Sequence, residues 1–181
     1  MEDRILSLNN LCKIENASAE DGFLHIEGYA AHYNKKNLNE ELVDNRSFDY
    51  FFSLYNSNEL KPKLTWEHTD QVIGGIDNIV SKKEGLWISA RLNYNVKIVE
   101  EMIAPNIIAG DIDSFSTEGF VRNGYDGIIE NKDGSYYVKD FILTAVSVVR
   151  TPADSAAVFS VANYIKEFAS KKHSSKWYLF T

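Results

Sequence analysis

Four histidines, a single cysteine and a run of serines and aspartates between residues 110 and 116 are the groups from which this 181-residue chain could build a reaction centre. His68 has the most suggestive surroundings. It follows Leu64 and Trp66 at the end of an alternating stretch and precedes Asp70 and the Gly74-Gly75 pair. A histidine fixed at a strand end beside a bulky indole can hold one rotamer while its other edge faces a cleft, as a general base must. On local sequence alone a structural role for His68 is still the stronger reading. Ser116 lies in GDIDSFSTEGF, Gly110 to Phe120. A nucleophilic hydroxyl needs a base within about 2.6–3.2 Å and backbone N–H donors facing the developing oxyanion. The pattern puts Ser116 on or near a strand, with Gly119 three residues later permitting close approach of a substrate. Serines are common and mostly bond locally, so this segment by itself is a weak signal.

The other reactive residues read as structural. His25 and His32 fall within and at the far end of an alternating strand, and His173 is in a polar tail. Cys12 sits in an apolar stretch away from any glycine-rich turn and reads as a buried structural thiol. With one cysteine there is no internal disulfide and no thiolate cluster, and the histidines lack the spacing of a zinc helix, so no metal site is expected. Asp111 and Asp113 share a strand face, but without a further acid in register they read as a solvated edge. No GxGxxG, phosphate-binding loop or GxSxG elbow occurs, and no cofactor is expected.

The elements that must position these groups follow from hydrophobic periodicity. Residues 1–20 give no clear pattern. Alternation predicts strands from Phe23 to about Tyr33, over Lys63–Glu67, over Val72–Val80 with a bulge or close approach at Gly74-Gly75, and over Leu86–Leu92. A short helix is expected over Ser47–Tyr55, with Ser47 as its cap, and another from Val96 to about Ala104 behind Asn95. Gly110-Asp111 opens a strand through Ser116 to Val121; Asn131–Gly134 is a hairpin turn; Tyr136–Val149 is the longest strand pattern. A last helix is expected from Asp154 or Ser155 to about Ser170. Many short strands with a few helices and no regular βα alternation predict an α+β fold, a mostly antiparallel β-barrel with a few flanking helices. The division expected is an N-terminal segment 1–22, a barrel domain 23–162, and a C-terminal helix end and tail 163–181.

Bulk properties narrow the partners. The net charge is −7 and the lysines are spread rather than banded, which argues against nucleic-acid binding. No stretch approaches the ~18–20 apolar residues of a membrane span, and no apolar core follows Met1–Arg4 as in a signal peptide, so an intracellular setting is expected.

Beyond single motifs, the series of segments resembles the prohead (head-maturation) protease family of tailed bacteriophages, distantly similar to the herpesvirus assembly proteases. The resemblance runs from Ile26 to Phe159. IEGYAAHYN (Ile26–Asn34) looks like the family's opening strand. LVDNRSF (Leu42–Phe48) occupies its Gly-Ala-Phe segment, with Arg46-Ser47 in place of Gly-Ala. LTWEH (Leu64–His68) is similar to the segment that ends in the catalytic histidine, and VIGGIDNI (Val72–Ile79) and GLWISARL (Gly85–Leu92) follow as they do there. GDIDSFS (Gly110–Ser116) is similar to the segment that ends on the catalytic serine, and VSVVRTPADSAAVF (Val146–Phe159) looks like the closing one. No segment is specific alone; their order and separations are.

The resemblance implies a serine endopeptidase with His68 as base and Ser116 as nucleophile, Ser114 being the alternative register. The implied substrates are the phage's own scaffold and the N-terminal extension of its major capsid protein, cut inside the procapsid in the host cytoplasm, with self-association a further expectation. One departure stands out. Many members carry an acid two residues before the serine that corresponds to Ser147, and here that position is Ala145. Asp70, Asp140 and Ser147 are the candidates for a third group, and a Ser-His pair acting alone is the alternative. A non-enzymatic assembly protein that keeps the barrel and binds capsid or scaffold subunits is the rival reading, and Ala145 is its main support.

Overall fold

A computed structural model of the chain describes residues 6–37 and 40–150. Ten strands, β1 (Leu6–Glu20), β2 (Phe23–His32), β3 (Glu41–Leu42), β4 (Lys63–Trp66), β5 (Val72–Ser81), β6 (Gly85–Asn93), β7 (Ser114–Val121), β8 (Ile128–Glu130), β9 (Tyr136–Val138) and β10 (Phe141–Val149), carry most of the architecture. Two short helices, α1 (Asp49–Asn56) and α2 (Ala104–Ala109), complete a mixed α+β fold. Seven strands form one curled sheet in the order β1-β2-β6-β5-β4-β10-β7, and β7 pairs back onto β1. That seam is interrupted by a register shift between Leu8 and Cys12. The stretch without a clear sequence pattern is therefore the long strand β1, which takes part in the sheet from Leu6 onward.

The sheet is antiparallel except at one place. β4 and β10 run parallel, pairing Leu64 with Val146, Thr65 with Ser147 and Trp66 with Val148. Period-two alternation then separates the two faces. Leu64 and Trp66 of β4, Phe115 of β7, and Phe141, Leu143, Val146 and Val148 of β10 all belong to the buried core. Thr65, Ser116 and Ser147 point the other way, to the outer face.

The expected strand over Tyr136–Val149 is instead two. Asp140 adopts a left-handed backbone, φ 48°, and breaks the run between β9 and β10. β9 joins a separate three-stranded sheet, β3-β9-β8, whose hairpin turn is the expected Asn131–Gly134. β10 has a further irregularity, a register shift against β7 between Leu143 and Ala145. The extra residue, Thr144, reverses the alternation, so that Leu143 and Val146 both face the core and Ser147 faces out.

Two helix expectations also need correction. Ser47 does not cap α1, which follows Phe48 with no side-chain cap. The cap belongs to a 3-10 turn ahead of it, Asn45–Phe48, where Asp44 accepts the N–H groups of Arg46 and Ser47 and the Ser47 hydroxyl accepts the N–H of Asp44 in a reciprocal capping box. The helix after Asn95 continues past Ala104 to Ala109 by widening to a π turn over Val99–Ile103, ahead of Pro105. A proline has no backbone N–H to donate, and just before it the Ala104 N–H reaches the Val99 carbonyl, one residue further back than in an α-helix. Gly74 does mark a close approach, since a Cβ there would lie 1.9 Å from the carbonyl oxygen of Arg91. The last helix expected, beyond Asp154, lies outside the described residues.

Candidate active site

The end of β4, the outer face of β7 and the outer face of β10 meet at His68. After Trp66 the chain turns sharply. The Trp66 carbonyl accepts both the N–H of Thr69, at 2.9 Å, and its hydroxyl, at 2.6 Å. Glu67 and His68 are both left-handed, with φ of 47° and 57°. For residues with a Cβ this conformation costs roughly 1–2 kcal/mol each, so their surroundings must hold them there. Glu67 donates its N–H to the Val148 carbonyl at 3.1 Å, and its Oε1 accepts the N–H of Arg150 at 2.8 Å. His68 donates its N–H to the Ser147 hydroxyl at 3.1 Å.

The imidazole of His68 is anchored as well. Its Nδ1 lies 3.0 Å from Oε1 of Glu118, and the side chains are 31% and 18% exposed, so the ring edge reaches solvent while the carboxylate is largely covered. The Ser147 hydroxyl donates to the same Oε1 at 2.5 Å. The Thr65 hydroxyl lies 2.7 Å from the Ser147 oxygen and, since the Ser147 proton is directed to Glu118, acts as the donor in that contact. The hydrogen bond from His68 holds the Glu118 carboxyl below its ordinary range, against burial, which pushes it up, and with help from Ser147.

Ser116 stands directly across the β7–β10 ladder from Ser147, and the two share the outer face. Its hydroxyl is buried, with the residue 2% exposed, and has no hydrogen-bond partner among the described residues. No hydrogen bond therefore joins it to His68 in this structure, and such contacts often tighten only when substrate binds. Ser114, one alternation earlier on the same face, donates its hydroxyl to Asp113 Oδ1 at 2.6 Å. Asp113 is thus a hydrogen-bond acceptor for Ser114, and among the described residues no group of three His, Cys, Asp or Glu side chains could hold a metal ion.

The three groups named as possible third members have different fates. Ser147 is part of the cluster. Asp140 forms the break between β9 and β10. No hydrogen bond or ion pair joins Asp70 to the histidine; the carboxylate found there is Glu118. Sequence reasoning missed Glu118, although it stands two residues after Ser116 and so on the same strand face. Gly119 also needs reinterpretation. The space a Cβ would fill is taken by the Ile142 carbonyl oxygen, 2.0 Å away, and by the Phe141 ring, so the glycine admits β10 rather than a substrate. His25 and His32 stand on β2, away from this cluster, where His32 packs against Tyr29 with ring centroids 5.0 Å apart. His173 and the side chain of Cys12 lie outside the described residues.

The histidine, the carboxylate and the buried serines thus share the outer face of a curled, mostly antiparallel sheet. Residues 12–171 match the caudovirus prohead serine protease family, and the chain belongs to that family. Among solved structures it is similar to the bacteriophage T4 capsid assembly protease gp21, at 19% identity and a TM-score of 0.63, over 84% of this chain and 100% of that one. At that identity the likeness speaks for the fold. No curated protein matches the chain.

Proposed function

We propose that this protein is a serine endopeptidase of procapsid maturation, with Ser116 as the nucleophile and His68 as the base that takes its proton and returns it to the leaving amine. Attack on a peptide carbonyl gives an acyl-enzyme, which water then hydrolyses. The observation that carries this reading is the contrast among the three outer-face serines. Ser147 has its proton and both lone pairs engaged, and Ser114 gives its proton to Asp113. Ser116 alone of the three has an unengaged hydroxyl, and it sits across the ladder from the residue that grips His68. A buried hydroxyl without a partner costs about 1–3 kcal/mol, a cost that function can justify where packing does not.

The substrates that fit family membership are the phage's scaffold and the extension of its major capsid protein, cut inside the procapsid. A serine-directed fluorophosphonate tests the chemistry. Labelling of the parent chain that persists in Ser114→Ala and disappears in Ser116→Ala is the expected result. Labelling retained in Ser116→Ala but lost in Ser114→Ala would move the nucleophile by one alternation. No labelling of the parent chain would turn the reading to the non-enzymatic assembly protein, which Ala145 and the open Ser116–His68 contact favour.

A further inference from the structure

We propose that Glu118 is the positioning residue for His68, supplying from β7 the carboxylate that Ala145 does not supply from β10. The inference rests on the Ser116–His68 reading and adds to it the group that sets the histidine's tautomer and charge.

A carboxylate accepts hydrogen bonds and donates none, so the Nδ1 that lies 3.0 Å from Glu118 Oε1 must carry the ring's proton. A neutral imidazole has one N–H. Its lone pair is then on Nε2, which is the form that can accept a proton from Ser116. The carboxylate is itself fixed. Ser147 donates to the same oxygen and accepts the backbone N–H of His68. The bonds form a closed ring, from the His68 amide to the Ser147 hydroxyl, to Glu118, and back to the His68 imidazole. Both ends of one residue are held by one clamp, which restrains its side-chain torsions and its left-handed backbone together. Because the carboxyl titrates below its ordinary range, it is ionised at neutral pH and can stabilise the imidazolium formed when the serine is deprotonated.

The placement of Glu118 explains how an alanine is tolerated at 145. The two residues are partners across the β7–β10 ladder. Side chains directly opposite one another start about 4.5–5.5 Å apart at Cβ, within reach of the same acceptor position for a residue as long as glutamate. The acid has an equivalent seat on either strand, and this chain fills the one on β7.

That equivalence supplies the experiment. Inactivation by a fluorophosphonate is followed in the full chain for the parent, Glu118→Gln, Ala145→Glu and the double variant Glu118→Gln/Ala145→Glu. With Glu118→Gln the maximal inactivation rate should fall on the order of 10⁴-fold, as it does when other serine proteases lose the orienting acid, with little change in the concentration for half-saturation. Moving the acid across the ladder in the double variant should recover about tenfold or more. Nitrogen NMR of labelled histidine should show the Nδ1–H tautomer in the parent and its loss in Glu118→Gln. A parent that labels while Glu118→Gln labels equally fast and keeps its tautomer overturns the role of Glu118 and leaves Ser116 and His68 standing. A rate loss that follows only from lower thermal stability, with no recovery in an equally stable double variant, overturns it as well. A parent that never labels at Ser116 is a different failure, which removes the nucleophile and with it anything for Glu118 to position.

Discussion

Along β7, Phe115 faces the core with Val148 of β10 opposite it, while the neighbouring Ser116 faces outward with Ser147 opposite. The same alternation runs through β4, where Leu64 and Trp66 are core and Thr65 joins the polar cluster. One side of these three strands is apolar packing; the other is a chain of hydrogen bonds that starts at Thr65 and ends on the His68 ring. Thr65, Ser116 and Ser147 are as buried as the core residues beside them, so exposure does not distinguish the two sides until the His68 ring reaches solvent. What differs is the consequence of change. A residue on the inner side is held by many neighbours and contributes mainly to stability, whereas one on the outer side is held by at most a few directed bonds and contributes mainly to geometry.

The strongest test of that contrast is between adjacent residues. Ser116→Ala should lower turnover by about 10⁶-fold, as removal of a catalytic serine does elsewhere, while leaving thermal stability unchanged or slightly raised, since a buried unpaired hydroxyl is removed. Phe115→Ala should do the reverse, lowering stability by about 3–5 kcal/mol in denaturant unfolding while the folded fraction still labels with fluorophosphonate. If both variants lost stability to the same degree and neither lost labelling selectively, the two faces would not be divided as described.

Ser147→Ala falls between them, because Ser147 is on the outer face yet fully enclosed by partners. It should cost about 1–3 kcal/mol, since the Glu118 carboxylate loses a donor and the His68 amide and Thr65 hydroxyl lose their shared acceptor. Labelling should slow as well. A stability loss without a rate loss would show that the clamp holds the turn and not the imidazole.

The smallest effect is on acid stability. Glu118 titrates below its ordinary value of 4.5 in the folded protein, first because of the His68 hydrogen bond. The folded state therefore binds fewer protons at this group than the unfolded chain does. Its stabilising contribution is complete above the ordinary value and is lost as pH falls from there through the lower folded value. Unfolding free energy measured from pH 7 to pH 3 should decline less steeply in Glu118→Gln than in the parent. An identical decline would mean that the carboxylate gains nothing from its partners.

Much of the framework could be read from local pattern. β2, β5 and β6 fall where alternation places them, because each has one face on the core and a polar or mixed opposite face. The close approach at Gly74 and the hairpin at Asn131–Gly134 were legible for the same reason, since glycine marks sites that a Cβ would obstruct or strain. Less legible was β1, whose residues do not alternate clearly, and the split of 136–149, which turns on one left-handed aspartate. At the site, the sequence points to His68 and Ser116 and to their strand positions, whereas nothing local marks Glu118 apart from any other polar residue on a strand face.

What the amino-acid sequence determined by itself was the set of faces. A period of two decides that Ser114, Ser116 and Glu118 share one side of their strand, whatever the strand pairs with. Only the tertiary structure decided which strands are neighbours and in what register. The parallel contact of β4 with β10 brings Thr65 to Ser147, and the extra residue at Thr144 turns Ser147 outward to meet it. Neither can be read locally, because pairing and register are set by how whole strands bury their apolar sides together, and a shift of one residue would have sent every hydroxyl of the cluster into the core.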